Sequence, residues 1–221
     1  MGGKKVEDPA KYDAWYSQKR GAWIGKTEYT LIRRNLPINL DDSVLDVGCG
    51  TGYFTRRFAQ DQRGPVVGLD PDYEAINYAR QKGVKGEKYI VGSGEKLPFS
   101  DASFDYVVAI TSLCFVQKEG EVIAEMVRVA RKGCAIGLLN RRSLLWYKKR
   151  RAKSYKKAHW HRPKEALALC YGSKMTNFHL SSALFFPNYN SLSKVLESVI
   201  PQQLLLGGFL LITAEVCHSA I

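Results

Sequence analysis

Three glycines within five residues, Gly48, Gly50 and Gly52, stand between an apolar run, Val44–Val47, and an amphipathic stretch that begins at Tyr53. Glycines at alternate positions let the backbone come close to a ligand, and a helix starting behind them turns its free N–H groups toward an anionic end. Asp46 precedes the first glycine by two residues, and the third glycine follows the second by two. A dinucleotide fingerprint would read G-x-G-x-x-G, so this spacing points to another ligand. A second acid, Asp70, closes the next apolar run, VVGLD, and is followed by Pro71. Inside the glycine turn, Cys49 reads as a small side chain packed under a tight loop rather than a thiol activated by the helix behind it. For acid–base work the candidates are His159 and His161, which flank Trp160; the alternative is that they are ordinary residues of a surface segment.

These residues need a scaffold, and the hydrophobic pattern supplies one. From Ser43 to Leu139, short apolar runs alternate with amphipathic stretches, the pattern of an α/β, doubly wound parallel sheet. The strands read as Val44–Val47, Val66–Leu69, Tyr89–Val91, Phe104–Ile110 and Ala135–Leu139. Helices fall at Tyr53–Gln60, Tyr73–Gln81 and Glu121–Ala130. Upstream, Asp8 before Pro9 is a helix start, and a second helix from about Ala22 to Leu36 stops at Pro37. Downstream, strand character returns at Phe178–Phe186 and Phe209–Val216, with a helix at Leu192–Val199 between them. The chain of 221 residues, 45% of them hydrophobic, fits one domain. It divides into an N-terminal helical cover (1–40), a core (42–139), a basic insertion (141–175) and C-terminal strands with a helix (176–221).

The charge is uneven. Lys and Arg number 33 against 21 Asp and Glu, a net +12. Eleven of the basic residues lie in Arg141–Lys164, a stretch without acid or glycine but with Trp146, Tyr147, Tyr155 and Trp160. It reads as a helical insertion after the fifth strand, expected to form a mobile lid over a bound anionic or polar molecule, with Arg142, Trp146 and Trp160 touching that molecule; a solvated helix surface is the plainer reading. The five cysteines contain no C-x-x-C pair, so neither a zinc site nor a disulfide framework is signalled, and a cytoplasmic location is expected. No apolar run is long enough to cross a bilayer, and MGGKKVEDPAKY is unlike a signal peptide.

With Asp46, Gly48, Gly50 and Gly52 in D-x-G-x-G-x-G order, the chain resembles the class I S-adenosylmethionine-dependent methyltransferases, and within them the type 11 domain common among small-molecule enzymes. Asp70 matches the family's ribose-binding acid. Gly94, Glu95, Leu97, Pro98 and Phe99, then SFDYVVAI, match the segment leading into its fourth strand, and Glu125, Arg128 and Val129 match a later block. The resemblance covers Asp42–Leu139 and implies a Rossmann-like sheet of seven strands in the order 3-2-1-4-5-7-6, the seventh antiparallel. It implies S-adenosyl-L-methionine as cofactor, S-adenosyl-L-homocysteine as product, and no metal. Asp46, Gly48, Cys49, Gly50, Gly52 and Tyr53 would hold the methionine end, Asp70 and Pro71 the ribose, and Ser93, Gly94 and Glu95 the adenine, with Ile110 and Thr111 as the floor. Relatives with a Tyr-Asp-x-Trp-aromatic start fold that segment over the cleft, which assigns Tyr16 to the cofactor and Tyr12 and Trp15 to the acceptor; packing on the domain without ligand contact is the plainer reading. Two positions depart from the family: Ser93 stands where many relatives have Asp, and Cys114 where many have His.

The reading is therefore methyl transfer by in-line displacement to a small, polar or anionic molecule. An RNA methyltransferase is the second reading, motivated by basic residues interleaved with aromatics, but no N/D-P-P-Y follows the fourth strand. A third is a protein that binds the cofactor without catalysis. No membrane partner is expected, and the oligomeric state is open.

Overall fold

A computed structural model describes residues 8–217 apart from 85, 153, 154 and 187. The polar start, residues 1–7, and Lys153 of the basic run lie outside the described residues. Seven strands form one sheet in the order β3-β2-β1-β4-β5-β7-β6. They are β1 (Val44–Val47), β2 (Val66–Asp70), β3 (Lys88–Val91), β4 (Phe104–Ile110), β5 (Ala130–Leu139), β6 (Met175–Ala183) and β7 (Phe209–Val216). The pairs within β1–β5 are parallel, and β7 runs antiparallel to both β5 and β6. Strand order reverses beside β1, which places a crevice at the carboxyl ends of β1 and β4.

Two helices precede the sheet. In α1 (Pro9–Ser17), the Asp8 carboxylate accepts from the Lys11 N–H, and proline at the first helical position needs no hydrogen-bond partner. The 17-residue α2 (Lys19–Asn35) buries Leu31 and Ile32 against one face of the sheet, together with Val108, Ile110 and Phe209. Helices α3 (Tyr53–Asp61), α4 (Tyr73–Gln81) and α5 (Glu119–Val129) make the crossovers. The last buries Val122, Ile123 and Met126 on the opposite face, with Val107, Ala109 and Ile136. Beyond β5 come α6 (Leu144–Lys149), α7 (Pro163–Ala168) and, between β6 and β7, α8 (Ser191–Val199).

Several boundaries differ from the sequence expectation, among them the start of α2 at Lys19. β5 begins at Ala130 instead of Ala135, because Arg131 and Lys132 bond Asp105 and Asp42 while their backbone stays in the strand. β6 begins three residues early and ends three early. A bulge at Asn177 (φ 53) lets the polar start of the strand pair, and Leu184 (φ 65) turns the chain, so Phe185 and Phe186 leave the sheet. α5 starts at Glu119, two residues before the expected Glu121. Among its described residues the basic insertion holds two short helices.

Candidate active site

The glycine turn connects β1 to α3 and is built for close approach. Gly48, Gly50 and Gly52 have φ of 75, 53 and 79°, a region that costs other residues energy. A side chain at Gly48 would collide with Ser112, and one at Gly52 would meet the Tyr89 hydroxyl at 2.6 Å, so these two are forced by packing. At Gly50 nothing lies within 4 Å of where a Cβ would be, so this side of the turn is open. Cys49 fills the space over Gly68, where a Cβ would stand 2.8 Å from its sulfur, and burial pushes its thiol well above the ordinary value. It is a packing residue in a tight loop, with no tendency to form a thiolate.

Two carboxylates flank the turn. Asp46 is buried on β1 and accepts from the Thr55 hydroxyl at 2.7 Å; burial pushes it up to about 7. Asp70, at the end of β2, accepts from the Gly50 N–H and the Asp72 N–H, each at 2.8 Å, so it braces the turn it faces. Burial raises its pKa, and those two N–H bonds hold the rise back. Neither acid has a cation partner among the described residues. A ligand carrying positive charge or hydroxyl donors would lower the cost of keeping both ionised.

Across the mouth lies α1. The Asp13 carboxylate pairs with Arg56 at 2.6 Å and accepts from the Thr51 hydroxyl at 3.2 Å. One turn later Tyr16 stacks on Tyr53, ring centroids 3.7 Å apart. Tyr12 meets Tyr16 edge-on at 5.8 Å, and Trp15 meets it at 4.9 Å. The N-terminal aromatics therefore roof the glycine turn. Asp13, Arg56 and Thr51, which do the fastening, were not singled out by sequence; a charged pair 43 residues apart has no local signature.

On the adenine side, Ser93 is exposed and its hydroxyl accepts from the Glu95 N–H at 3.2 Å, shaping the turn through Gly94. A side chain at Gly94 would press on Val47 and Val122 at 3.0 and 3.1 Å. Pro71 is exposed at the start of the turn after β2. Beyond β4, Ile110 is buried and Thr111 has φ 55, an unusual strain for a β-branched residue, held by its N–H to the Gly137 carbonyl at 2.8 Å.

The remaining candidates are dispersed. The Cys114 sulfur is fully buried and accepts from the Leu139 N–H at 3.2 Å; burial pushes the thiol up to about 12, and the side chain faces the core. His159 and His161 both bond Glu119, at 3.2 and 3.0 Å, and the His161 Nδ1 is buried without a partner. Burial pushes Glu119 up, but the two histidines overcome it and hold the acid below its usual range. Trp160 packs on the core beside Tyr155, centroids 5.3 Å apart. Arg142 and Trp146 line a groove of about 540 Å³ between α6 and the Phe185, Phe186 and Leu204 side chains, to which the glycine turn contributes nothing. Trp146 lies against Arg150 at 4.7 Å and Arg141 at 5.7 Å, so part of the positive charge rests on aromatic faces. Among the described residues there is no group of three or more His, Cys, Asp or Glu arranged to hold a metal, and no helix long and apolar enough to cross a membrane.

The family model described as "Methyltransferase domain" matches residues 45–137, the stretch from β1 to β5 that carries both acids and the glycine turn. An uncharacterized protein of Methanocaldococcus jannaschii is 29% identical over 211 residues, 93% of this chain and 95% of that one. The demethylmenaquinone methyltransferase of Bacillus cereus is 32% identical over 140 residues, 59% of this chain and 56% of its own length, so the chain spans little more than half of that relative. Among solved structures, a methyltransferase of Thermotoga maritima, described as a possible histamine N-methyltransferase, superposes with a TM-score of 0.71 at 24% identity over 93% of this chain and 94% of its own. The match falls on the elements that build the crevice, so residues 45–137 carry a methyltransferase domain of the class I, type 11, S-adenosylmethionine-dependent kind.

Proposed function

We propose that the chain methylates a small, polar molecule held beneath α1 and α2, with the cofactor lying across the carboxyl ends of β1, β2 and β4. The observation that carries this reading is the fastening of α1 over the glycine turn by Asp13, Arg56 and the Tyr16–Tyr53 stack. A roof so close to the reacting centre suits a compact acceptor and leaves little room for a structured polymer.

The chain's own residues fit the cofactor. Asp46 and the open face at Gly50 would receive the methionine end, where a positive charge would lower the cost of the buried acid. Asp70 would receive the ribose hydroxyls, Ser93 to Glu95 the adenine edge, and Thr111 would hold the floor. S-adenosylmethionine, when bound, supplies an electrophilic methyl on a sulfonium. The protein's part is to align the acceptor in line with that bond and to exclude water, which Tyr12, Tyr16 and Tyr53 support by closing the mouth. His161, its ring fixed by Glu119, is the positioned base nearest the end of β5 should the acceptor need to lose a proton. We place the start of the basic segment, Arg141 to Tyr147, outside this roof, as a wall of the neighbouring groove. An anionic acceptor there draws support only from the arginines at the groove's edge.

The test supplies radiolabelled S-adenosylmethionine with a low-molecular-mass cell filtrate and, separately, with structured RNA. Label entering the filtrate is expected, and label entering RNA alone overturns the reading. Calorimetry with S-adenosylhomocysteine and with NAD checks the cofactor half independently: the first binds and the second does not.

A further inference from the structure

Glu28 lies on α2, only 7% exposed, and is the buried acid that the site described so far does not use. The other buried acids among the described residues, Asp42, Asp46, Asp105 and Glu119, each accept at least one hydrogen bond. Glu28 accepts none and pairs with no cation among those residues, so nothing offsets its burial, which pushes it up to about 8. An acid placed this way costs stability at neutral pH and packs no better than a leucine would.

Its surroundings connect it to the reaction. Gly25, one turn earlier on the same face of α2, is where the Tyr53 ring presses against the helix; a Cβ there would stand 2.5 Å from the ring. The Glu28 charge acts on the hydroxyls of Tyr12 and Tyr16 from α1, Tyr53 from α3 and Tyr155 from the basic segment. Tyr12 meets Tyr16 edge-on at 5.8 Å, and Tyr16 stacks on Tyr53 at 3.7 Å, so the aromatic roof of the glycine turn continues to the face of α2 that carries Glu28. A buried carboxyl one turn along α2 from the Tyr53 ring, which itself stacks under Tyr16 over the glycine turn, has the chemistry of a receptor for a positively charged nitrogen.

We infer that Glu28 is the acceptor-recognising residue of this enzyme, and that the acceptor is a small amine whose protonated nitrogen pairs with that carboxylate under the tyrosines. This rests on the proposed reading of a small acceptor beneath α1 and α2. It narrows the class to a cation and removes the anion. Arrival of the cation ionises the carboxyl, so each binding event at pH 7 releases a proton to solvent and leaves an ammonium–carboxylate pair. The four tyrosine hydroxyls are all pushed upward by burial and stay neutral throughout, so among them Glu28 is the group that titrates; the cation on the Tyr155 side is Arg20.

Three matched probes test this on the full chain saturated with S-adenosylhomocysteine: 2-phenylethylamine, phenylacetate and 2-phenylethanol. Calorimetry in buffers of different ionisation enthalpy should show the amine binding at least about tenfold more tightly than either other probe, with close to one proton released at pH 7. In Glu28→Gln, that preference and the proton release should both vanish while S-adenosylhomocysteine affinity stays within about twofold, which also certifies folding. Preference for phenylacetate or phenylethanol overturns the assignment while leaving the small-acceptor reading intact. Amine binding or proton release unchanged in Glu28→Gln, or failure of the wild type to take any of the three at millimolar concentration, overturns it too. Loss of the small-acceptor reading is recognised separately, by methyl label entering RNA alone.

Discussion

At the amino ends of β1, β4 and β5, Asp42 and Asp105 are met by Lys132 and Arg131, and Asp105 also accepts from the Ser43 hydroxyl and N–H. At the carboxyl ends of the same sheet, Asp46, Asp70 and the nearby Glu28 have hydroxyl or amide donors at best and no cation among the described residues. Burial pushes Asp105 upward, but its donors and cations overcome this and hold it at about 2, whereas Asp46 is pushed up to about 7 and Glu28 to about 8. The first set is complete within the chain and holds strands together. The second set lacks such cations, and under the proposed function this contrast divides acids that serve the fold from acids that serve a ligand.

The largest effect expected from that contrast is on stability against pH. A carboxyl raised from 4.5 to about 8 contributes stability below pH 4.5 that is lost as pH rises through 8. Between pH 4.5 and 7 the wild type should therefore lose roughly 3 kcal/mol relative to Glu28→Gln, read as parallel urea titrations at the two pH values. Next comes Asp70→Ala, which removes charge-assisted acceptors for two hydroxyls and should weaken S-adenosylhomocysteine binding about a hundredfold by calorimetry. At the other end of the sheet the sign reverses. Asp105, lowered from 3.8 to about 2, contributes stability above pH 3.8 that is lost as pH falls through 2, so Asp105→Asn should cost about 2 kcal/mol at pH 7 and leave cofactor affinity unchanged. An Asp105→Asn protein as stable as wild type would break the comparison at its paired end. The smallest effect belongs to Ser93→Ala, where one neutral hydrogen bond is lost and S-adenosylhomocysteine affinity should fall about three- to tenfold. Equal losses for Ser93→Ala and Asp70→Ala would remove the division between ribose and adenine.

Residues 42–139 were legible in the sequence because their constraints are local. A strand, a glycine turn and a helix start lie within a dozen residues, and Val44–Val47, Tyr73–Gln81 and Phe104–Ile110 fall where periodicity puts them. The strand order came from the resemblance to the methyltransferases, and β7 lies between β5 and β6 as that resemblance implied. β6 was displaced because a bulge at Asn177 and a left-handed residue at Leu184 are features of pairing with β7, which propensity does not carry. Within the site, Asp46 and Asp70 could be found by motif, whereas Glu28 could not. On α2 it reads as one more polar residue in KTEYT, and only the tertiary packing of α1, α3 and Tyr155 around it reveals a buried acid without a partner.

The excursion between β5 and α7 is tied at its base. The His161 N–H donates to the Leu139 carbonyl and the His161 carbonyl accepts from the Arg141 N–H, a parallel bridge between Asn140 and His161. Chain entering and leaving at one knot can change in length with little cost to the rest, since loop closure grows only slowly with the number of residues enclosed. The stretch from Arg142 to Ala152 is the part most open to such change, since Tyr155 and Ala158 pack on the core. Sequences grafted there would inherit an intact sheet while presenting a different wall to the neighbouring groove.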